Sequence, residues 1–382
     1  MKVEFKYLFL IILLILTPKN ALGNTIIKIG LLAPLSGEFK NIGKSIIESA
    51  RIALNKIDNN KIYILPRDTK GENSVTLKQA EELYAEGIRI FIGPVFNKNL
   101  KGLEKFEGAT FFSLTNKVIN NPKNVISAGI NARSQFDAIK KYQTLNKLEE
   151  TLVLIPKKEY KEEIEQAIIK SKIKTKKIFY YDADPTQLTK QIEKVTKYEI
   201  RKQNLKDEIK RIENSDESNK EKKLEILNKK DTIGRIGYDS IIIADFDESL
   251  KSVTTSLLYT DISPKKVTFI SLNQWFDETL FKEKESQPIS FPSINKDNFD
   301  KFKKDYLKLY NNYPTQLSLI TYDLVGLIYY LLFQNSLEID DKIFNKKNSF
   351  KGVSGIFKIK NRKINHELNF YEVNGESFIK IF

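Results

Sequence analysis

The chain has 382 residues, with a single histidine, His366, and no cysteine. A hydrolase built on serine or cysteine needs a base beside its nucleophile, and a zinc site needs several imidazole or thiolate ligands. One imidazole assembles neither set, so no catalytic residue, metal site or cofactor is expected. His366 lies between Asn365 and Glu367 in what reads as a terminal hairpin, where a surface strand position is expected for it. The 49 acidic residues permit carboxylate pairs anywhere and therefore single out no acid–base couple.

The stretch Pro34 to Ser45, "PLSGEFKNIGKS", comes closest to a chemical motif. A phosphate-cradling loop reads G-x-x-x-x-G-K-[ST], its spacing fixed by how backbone N–H groups wrap the phosphates. Here five residues, Glu38 to Ile42, separate Gly37 from Gly43, so the loop has a different geometry. "IIIAD", Ile241 to Asp245, could pose as the magnesium-holding strand end, but the nucleotide reading is set aside. Open α/β sheets also take smaller ligands outside the carboxyl ends of their strands, helped by free N–H groups at a helix start. Ser36 and Gly37 occupy such a handover. Two readings stay open: they edge a ligand cleft, or they simply turn the chain.

The elements that would position these residues alternate regularly. Ile26 to Leu32 reads as a buried strand, and Ile46, Ile47, Ala50, Ala53, Leu54 and Ile57 recur at helical spacing. Further strands are expected at Ile62 to Leu65, Ile88 to Pro94 and Ala109 to Leu114, with a helix through Leu77, Ala80, Leu83 and Tyr84. The pattern restarts with a helix from Ser134 to Leu148, whose Phe136, Ile139, Tyr142 and Leu145 share one side. Strands at Thr151 to Ile155, Lys176 to Tyr181, Ser240 to Ala244 and Val267 to Ser271 follow, interleaved with helices. Single helices between strands imply parallel sheets covered on both faces. The expected class is α/β, with two doubly wound Rossmann-like lobes and a central cleft.

Thr196 to Gly234 interrupts the second lobe with Lys- and Glu-rich text and a "NSDESN" break at Asn214 to Asn219. It predicts a charged helical hairpin with a narrow apolar seam, either a solvated insertion or a partner-binding arm. Two more helices, Asp297 to Tyr310 and Gln316 to Gln334, precede a tail of short strands closed by the hairpin turn Asn374-Gly375. Trp275, just past a strand end, either lines the cleft or is partly buried packing. The expected division is lobe I over 24–130 and 292–349, and lobe II over 131–291 and 350–382, with the 196–234 insertion in lobe II.

The first residues read as a secretory signal: Lys2 and Lys6, the apolar run Leu8 to Leu16, and small residues at Ala21-Leu22-Gly23, with cleavage expected after Gly23. The run is too short to span a bilayer, which takes about 20 apolar residues, and no second hydrophobic segment of that length is expected later. An exported protein without a transmembrane anchor follows. The formal net charge is +14, but only eight of the 63 basic residues are arginines and the lysines are spread along the chain. Such a spread lacks the clustering of a nucleic-acid footprint, so no nucleic acid is expected as partner.

The order and spacing of "IKIGLLAPLSGEFKNIGKSIIESARIAL", "YILPRDTKG", "IFIGPVF", "FFSLTN", "TLVLIPKKEY" and "TYDLVGLIYYLL" resemble the type I periplasmic binding proteins of the leucine/isoleucine/valine-binding class. With "YTDISPKKVTFISLNQW", "GVSGIFKIKNRKINHELNFYEVNGE" and the inserted hairpin, the chain is most similar to the penicillin-binding protein activator branch. The resemblance implies two lobes joined by three crossovers, a periplasmic location, and a ligand cleft whose candidates here are Ser36, Gly37, Asn97, Ser113, Thr115, Asn116, Tyr160, Asp245 and Trp275. It implies a non-enzymatic role, with a peptidoglycan synthase as partner. In the alternative it implies the solute-binding subunit of an ABC importer, with a permease and an amino-acid-like ligand. Two departures bear on the choice. Val95-Phe96-Asn97 replaces the serine usual after the strand-ending Gly-Pro, and Lys161 replaces the glycine usual after the tyrosine of "IPKKEY", so Phe96 and Lys161 are expected to crowd the cleft. The branch is tethered through a lipid-modified cysteine, and this chain has none.

Overall fold

The computed structural model describes residues 26–58, 61–334 and 349–382. The signal sequence expected over 1–23 lies outside them. An eight-stranded and a seven-stranded sheet organise the chain. The first contains, in chain order, β1 (Ile27–Ala33), β2 (Ile62–Asp68), β3 (Ile90–Ile92), β4 (Thr110–Ser113) and β5 (Val125–Ser127), paired in parallel in the spatial order β5-β4-β3-β1-β2. The second contains β6 (Thr151–Pro156), β7 (Lys177–Tyr181), β8 (Ser240–Ile243), β9 (Thr268–Ser271) and β10 (Ile289–Ser293), parallel in the order β10-β9-β8-β6-β7. The central strands β4, β6 and β8 are buried along their whole length, as continuous apolar runs between two helical layers should be.

Helix α1 (Lys40–Ile57) shows why the opening stretch has its glycine. A Cβ on Gly43 would stand 1.9 Å from the Pro34 carbonyl oxygen, so the helix passes directly over the turn that leaves β1. Elsewhere around its circumference the helix buries Ser45, Ser49, Ala50 and Ala53. Against it packs the apolar helix Gln316–Gln334, with Ser318 touching Ser45. Residues Gln316–Phe333 are long and apolar enough to cross a membrane by composition, contrary to the expectation of no second such stretch. With 61% of that window buried, its hydropathy is accounted for by packing inside the first lobe. The helix before it, Lys296–Tyr310, also packs on α1, through Tyr306 and Tyr310 hydrogen-bonded to Glu48.

The tail is divided differently from the expectation. Strands β11 (Ser349–Lys351), β12 (Ile356–Lys360) and β13 (Lys363–Glu367) extend the first sheet, and only β14 (Asn369–Asn374) and β15 (Ser377–Lys380) join the second. Residues 350–367 therefore belong with lobe I, and Leu368 is where the chain changes lobes. The chain passes between sheets three times, after β5, after β10 and after β13. Strands β5 and β10 have no counterpart in the sequence reading. Pro288 and Pro292 disguise β10, because proline within a run argues against a strand. Here Pro292 lies beyond the β9 register, which ends at Ser290, on a stretch paired only with β14.

The insertion is the expected hairpin, Tyr198–Glu213 and Lys220–Asn228, turning at 214–219. Leu205 and Ile212 are buried, and the second arm buries no residue, so the seam is narrow. Its base is clamped by Arg201, 3% exposed, which donates to the Thr196 and Thr260 carbonyls and to the Thr232 hydroxyl. In the helix Ala132–Asn146, Phe136, Ile139 and Tyr142 are buried as the periodicity predicts, but Leu145 is exposed because it falls on the final turn.

Candidate functional site

The carboxyl ends of the two parallel sheets should frame any ligand site. In the first lobe, β2 ends at Asp68, whose carboxylate accepts hydrogen bonds from the N–H groups of Leu35, Ser36 and Lys70 and from the Ser36 hydroxyl. Burial pushes this carboxyl up, but the Ser36 hydroxyl and the three N–H groups outweigh it and hold Asp68 below its ordinary value. Ser36 is therefore engaged in a turn. Gly37, at φ +74, is exposed, and the carbonyl of Gly37 accepts from Lys40 N at the start of α1. Of the two open readings, chain reversal accounts for both residues. Ser113 is likewise internal: fully buried, it donates to the Pro94 carbonyl at 2.7 Å and accepts from the N–H of Thr115.

Between the lobes lies a cavity of about 850 Å³ that Asn97, Thr115, Asn116 and Trp275 do line. Phe39, Ile42, Phe96, Leu317 and Ile320 make much of its wall apolar. Phe96 does not fill the space, as the sequence reading expected. It packs against Phe39 with ring centroids 4.7 Å apart and forms a side of the cavity. Nor does Lys161 reach the cavity: its ammonium lies 4.4 Å from the Tyr180 ring centroid and 3.6 Å from Glu165. Asn97 is held by Asn121 at 3.2 Å, and the Thr115 hydroxyl accepts from Lys117 N. Trp275 is half-buried, in a left-handed backbone position (φ 48), with its ring edge-on to Phe299. It lines the cleft and packs at once.

The floor of the second lobe is a closed polar cluster. Asp245, just past β8 and 1% exposed, pairs with Lys158 Nζ at 2.9 Å. It also accepts from the hydroxyls of Tyr181 at 2.7 Å and Tyr160 at 3.1 Å and from the N–H of Phe246 at 3.0 Å. Burial, and then the Asp245 charge, push both tyrosine hydroxyls far above their ordinary value, so they remain donors. Both carboxylate oxygens of Asp245 are thus engaged inside the protein, Oδ1 by Lys158, Tyr160 and Phe246 and Oδ2 by Tyr181. Neither Tyr160 nor Asp245 lines the cavity. Lys158 and Tyr181 were not anticipated; the one available signal is that both stand at the carboxyl ends of strands beside Asp245.

His366 corrects the sequence reading outright. It is 7% exposed, not on the surface, because β13 runs through the junction of the lobes. Its Nε2 lies 3.1 Å from the Ala128 carbonyl and must carry the hydrogen, while its backbone N–H donates to Ser134 Oγ. Nδ1 has no partner, and burial lowers the imidazole to about 4, leaving it neutral. Asn131 ties the same crossovers by capping Ser134 N and donating to the Ile364 carbonyl at 2.7 Å. Among the described residues, no group of three His, Asp or Glu is placed to hold a metal ion.

Residues 26–142 match the periplasmic binding protein family Peripla_BP_6. A curated relative, uncharacterized protein MJ1266 of Methanocaldococcus jannaschii, is 30% identical over 98 residues, 24% of this chain and 24% of that protein. The chain therefore spans about a quarter of that relative's length. Among solved structures, the C-domain of LpoA from Haemophilus influenzae, a regulator of PBP1A, superposes with a TM-score of 0.62 at 14% identity, over 93% of this chain and 100% of that one. The branched-chain amino acid binding protein LivJ of Streptococcus pneumoniae, in complex with isoleucine, gives 0.56 at 15% identity, over 93% and 99%. A leucine-binding protein, LivK, of Thermotoga maritima gives 0.58 at 14% identity, over 94% and 98%. The chain is thus built on the type I periplasmic-binding fold, with a regulator of PBP1A and branched-chain amino acid binding proteins among its structural neighbours.

Proposed function

We propose that the chain is an extracytoplasmic, non-enzymatic factor that acts by contact with another protein, a peptidoglycan synthase being the partner that its resemblance to the activator branch suggests. One observation carries the reading: Asp245, the carboxylate just past the second-lobe strand β8, stands outside the cavity lining, paired with Lys158 and accepting from two tyrosine hydroxyls and a backbone N–H. On the first-lobe side, Ser36 and Ser113 are bonded to Asp68 and Pro94. A hydrogen bond to a charged ligand group contributes about 1.5–3 kcal/mol, and each 1.4 kcal/mol is about tenfold in affinity. Losing two such anchors would take a micromolar amino acid site to roughly millimolar.

A second reading is favoured by a separate observation, the open cavity of about 850 Å³ between the lobes. In that reading the chain is the solute-binding subunit of an importer, for a ligand held mainly by apolar walls. Calorimetry with a library of amino acids and short peptides, together with capture from envelope extracts on the immobilised protein, separates the two. No heat from the library and recovery of a penicillin-binding protein support contact function. A low-micromolar ligand overturns it.

A further inference from the structure

We propose that Glu163 is a latch that holds the two lobes together without a ligand, so that closure in this chain is built in rather than induced. Glu163 is the third residue of the second-lobe helix Lys161–Ser171. A glutamate there commonly turns back to the backbone N–H at its own helix start. Here it reaches across to the other lobe. One oxygen, Oε1, accepts the N–H of Val118 at 2.7 Å and the N–H of Ile119 at 2.8 Å. Both donors sit in the loop between β4 and β5, strands of the first sheet, so each bond joins the lobes directly. A second contact runs beside it, Lys117 Nζ to Glu159 at 3.5 Å.

The chemistry favours a firm latch. The carboxylate stands in the first helical turn, where the unpaired N–H groups favour negative charge, and it is half-buried, which weakens screening by solvent. Its partners are backbone groups, whose positions are fixed by the fold and not by rotamer choice. The loop is itself braced, since Asn121 Nδ2 donates to the Lys117 carbonyl at 2.9 Å and to Ser127 Oγ at 2.6 Å. Hinged lobes close in proportion to the differential affinity of whatever binds the closed arrangement. An internal carboxylate that binds only that arrangement does the work of a ligand. The inference rests on the contact-function reading, in which no amino acid supplies closure.

The absence of native cysteines allows single labels at Glu38 in the first lobe and Glu248 in the second, both exposed. Pulsed electron–electron spin distances on the full chain should show one narrow population, unmoved by the amino acid library. E163A should add a longer-distance population and lower the ratio of closed to open molecules by about tenfold, and E163Q, which keeps an acceptor without the charge, should fall between. Unchanged melting of each variant shows that the lobes themselves remain folded. A distribution in E163A identical to the parent, or a parent already broad, overturns the latch while leaving the contact reading intact. Renewed narrowing of E163A by an amino acid overturns the contact reading and leaves the latch standing.

Discussion

Lys158 and Asp245, 87 positions apart in the chain, meet at 2.9 Å on the floor of the second lobe. The pair makes the carboxylate just past a parallel strand a structural knot. Removing the lysine leaves a buried charge with neutral donors only. K158M should lower the unfolding free energy by about 1–2 kcal/mol, less than the roughly 3–5 kcal/mol of a fully buried pair because the lysine is partly exposed. Urea unfolding of parent and variant measures it, and an unchanged midpoint would show that the tyrosines alone satisfy Asp245.

Gly43 is a steric requirement of the fold, not part of a nucleotide loop. G43A places a methyl 1.9 Å from the Pro34 carbonyl oxygen, with rigid backbone on both sides. The expected loss exceeds about 4 kcal/mol, read as a large fall in melting temperature or in soluble yield. K44A, whose side chain is exposed, should leave stability within about 0.5 kcal/mol of the parent.

Arg201 fixes the inserted hairpin to the second lobe. R201A removes donors from the Thr196 and Thr260 carbonyls and from Thr232, which also binds Asp261. Limited proteolysis should then cut within residues 198–234 at least tenfold faster while the sheets stay protected, because local opening scales with the local free energy lost. Equal cleavage rates would place the clamp elsewhere.

His366 predicts acid sensitivity at the lobe junction. Its imidazole lies near 4 when folded, against an ordinary 6.5. The unfolded chain therefore binds a proton that the folded one refuses, and stability is lost as pH falls from about 6.5 toward 4, by up to roughly 3 kcal/mol. In H366Q that component disappears. The stability difference between parent and H366Q, followed from pH 7.5 to 4, cancels the common carboxylate contributions, and a flat difference would refute the assignment.

Much of the fold was legible before any contact was known. Ile27 to Ala33 and Thr151 to Pro156 announce buried parallel strands by composition alone, and the seam of Leu205 and Ile212 announces the inserted hairpin. The site was legible in part. Asn97, Thr115, Asn116 and Trp275 do face the cleft, because position relative to a strand's carboxyl end follows from order along the chain. Ser36, Ser113, Tyr160 and Asp245 stand at similar places but are bonded inward. Phe96 was read as an obstruction from its size, yet Phe39 offers it a ring to lie against. The tail misled because β13 and β14 are separated only by Leu368, too short a link to reveal that the chain changes sheets there.

The sequence by itself determined the class of the molecule: two wound α/β lobes, in a chain with no cysteine and a single histidine. Those properties are local, carried by periodicity and composition. Only the tertiary structure decided which polar groups are free, since Lys158 with Asp245, Glu163 with Val118 and His366 with Ala128 become neighbours only once the lobes are folded and docked. Periodicity reports which face of an element is buried, whereas a hydrogen bond depends on distance across space.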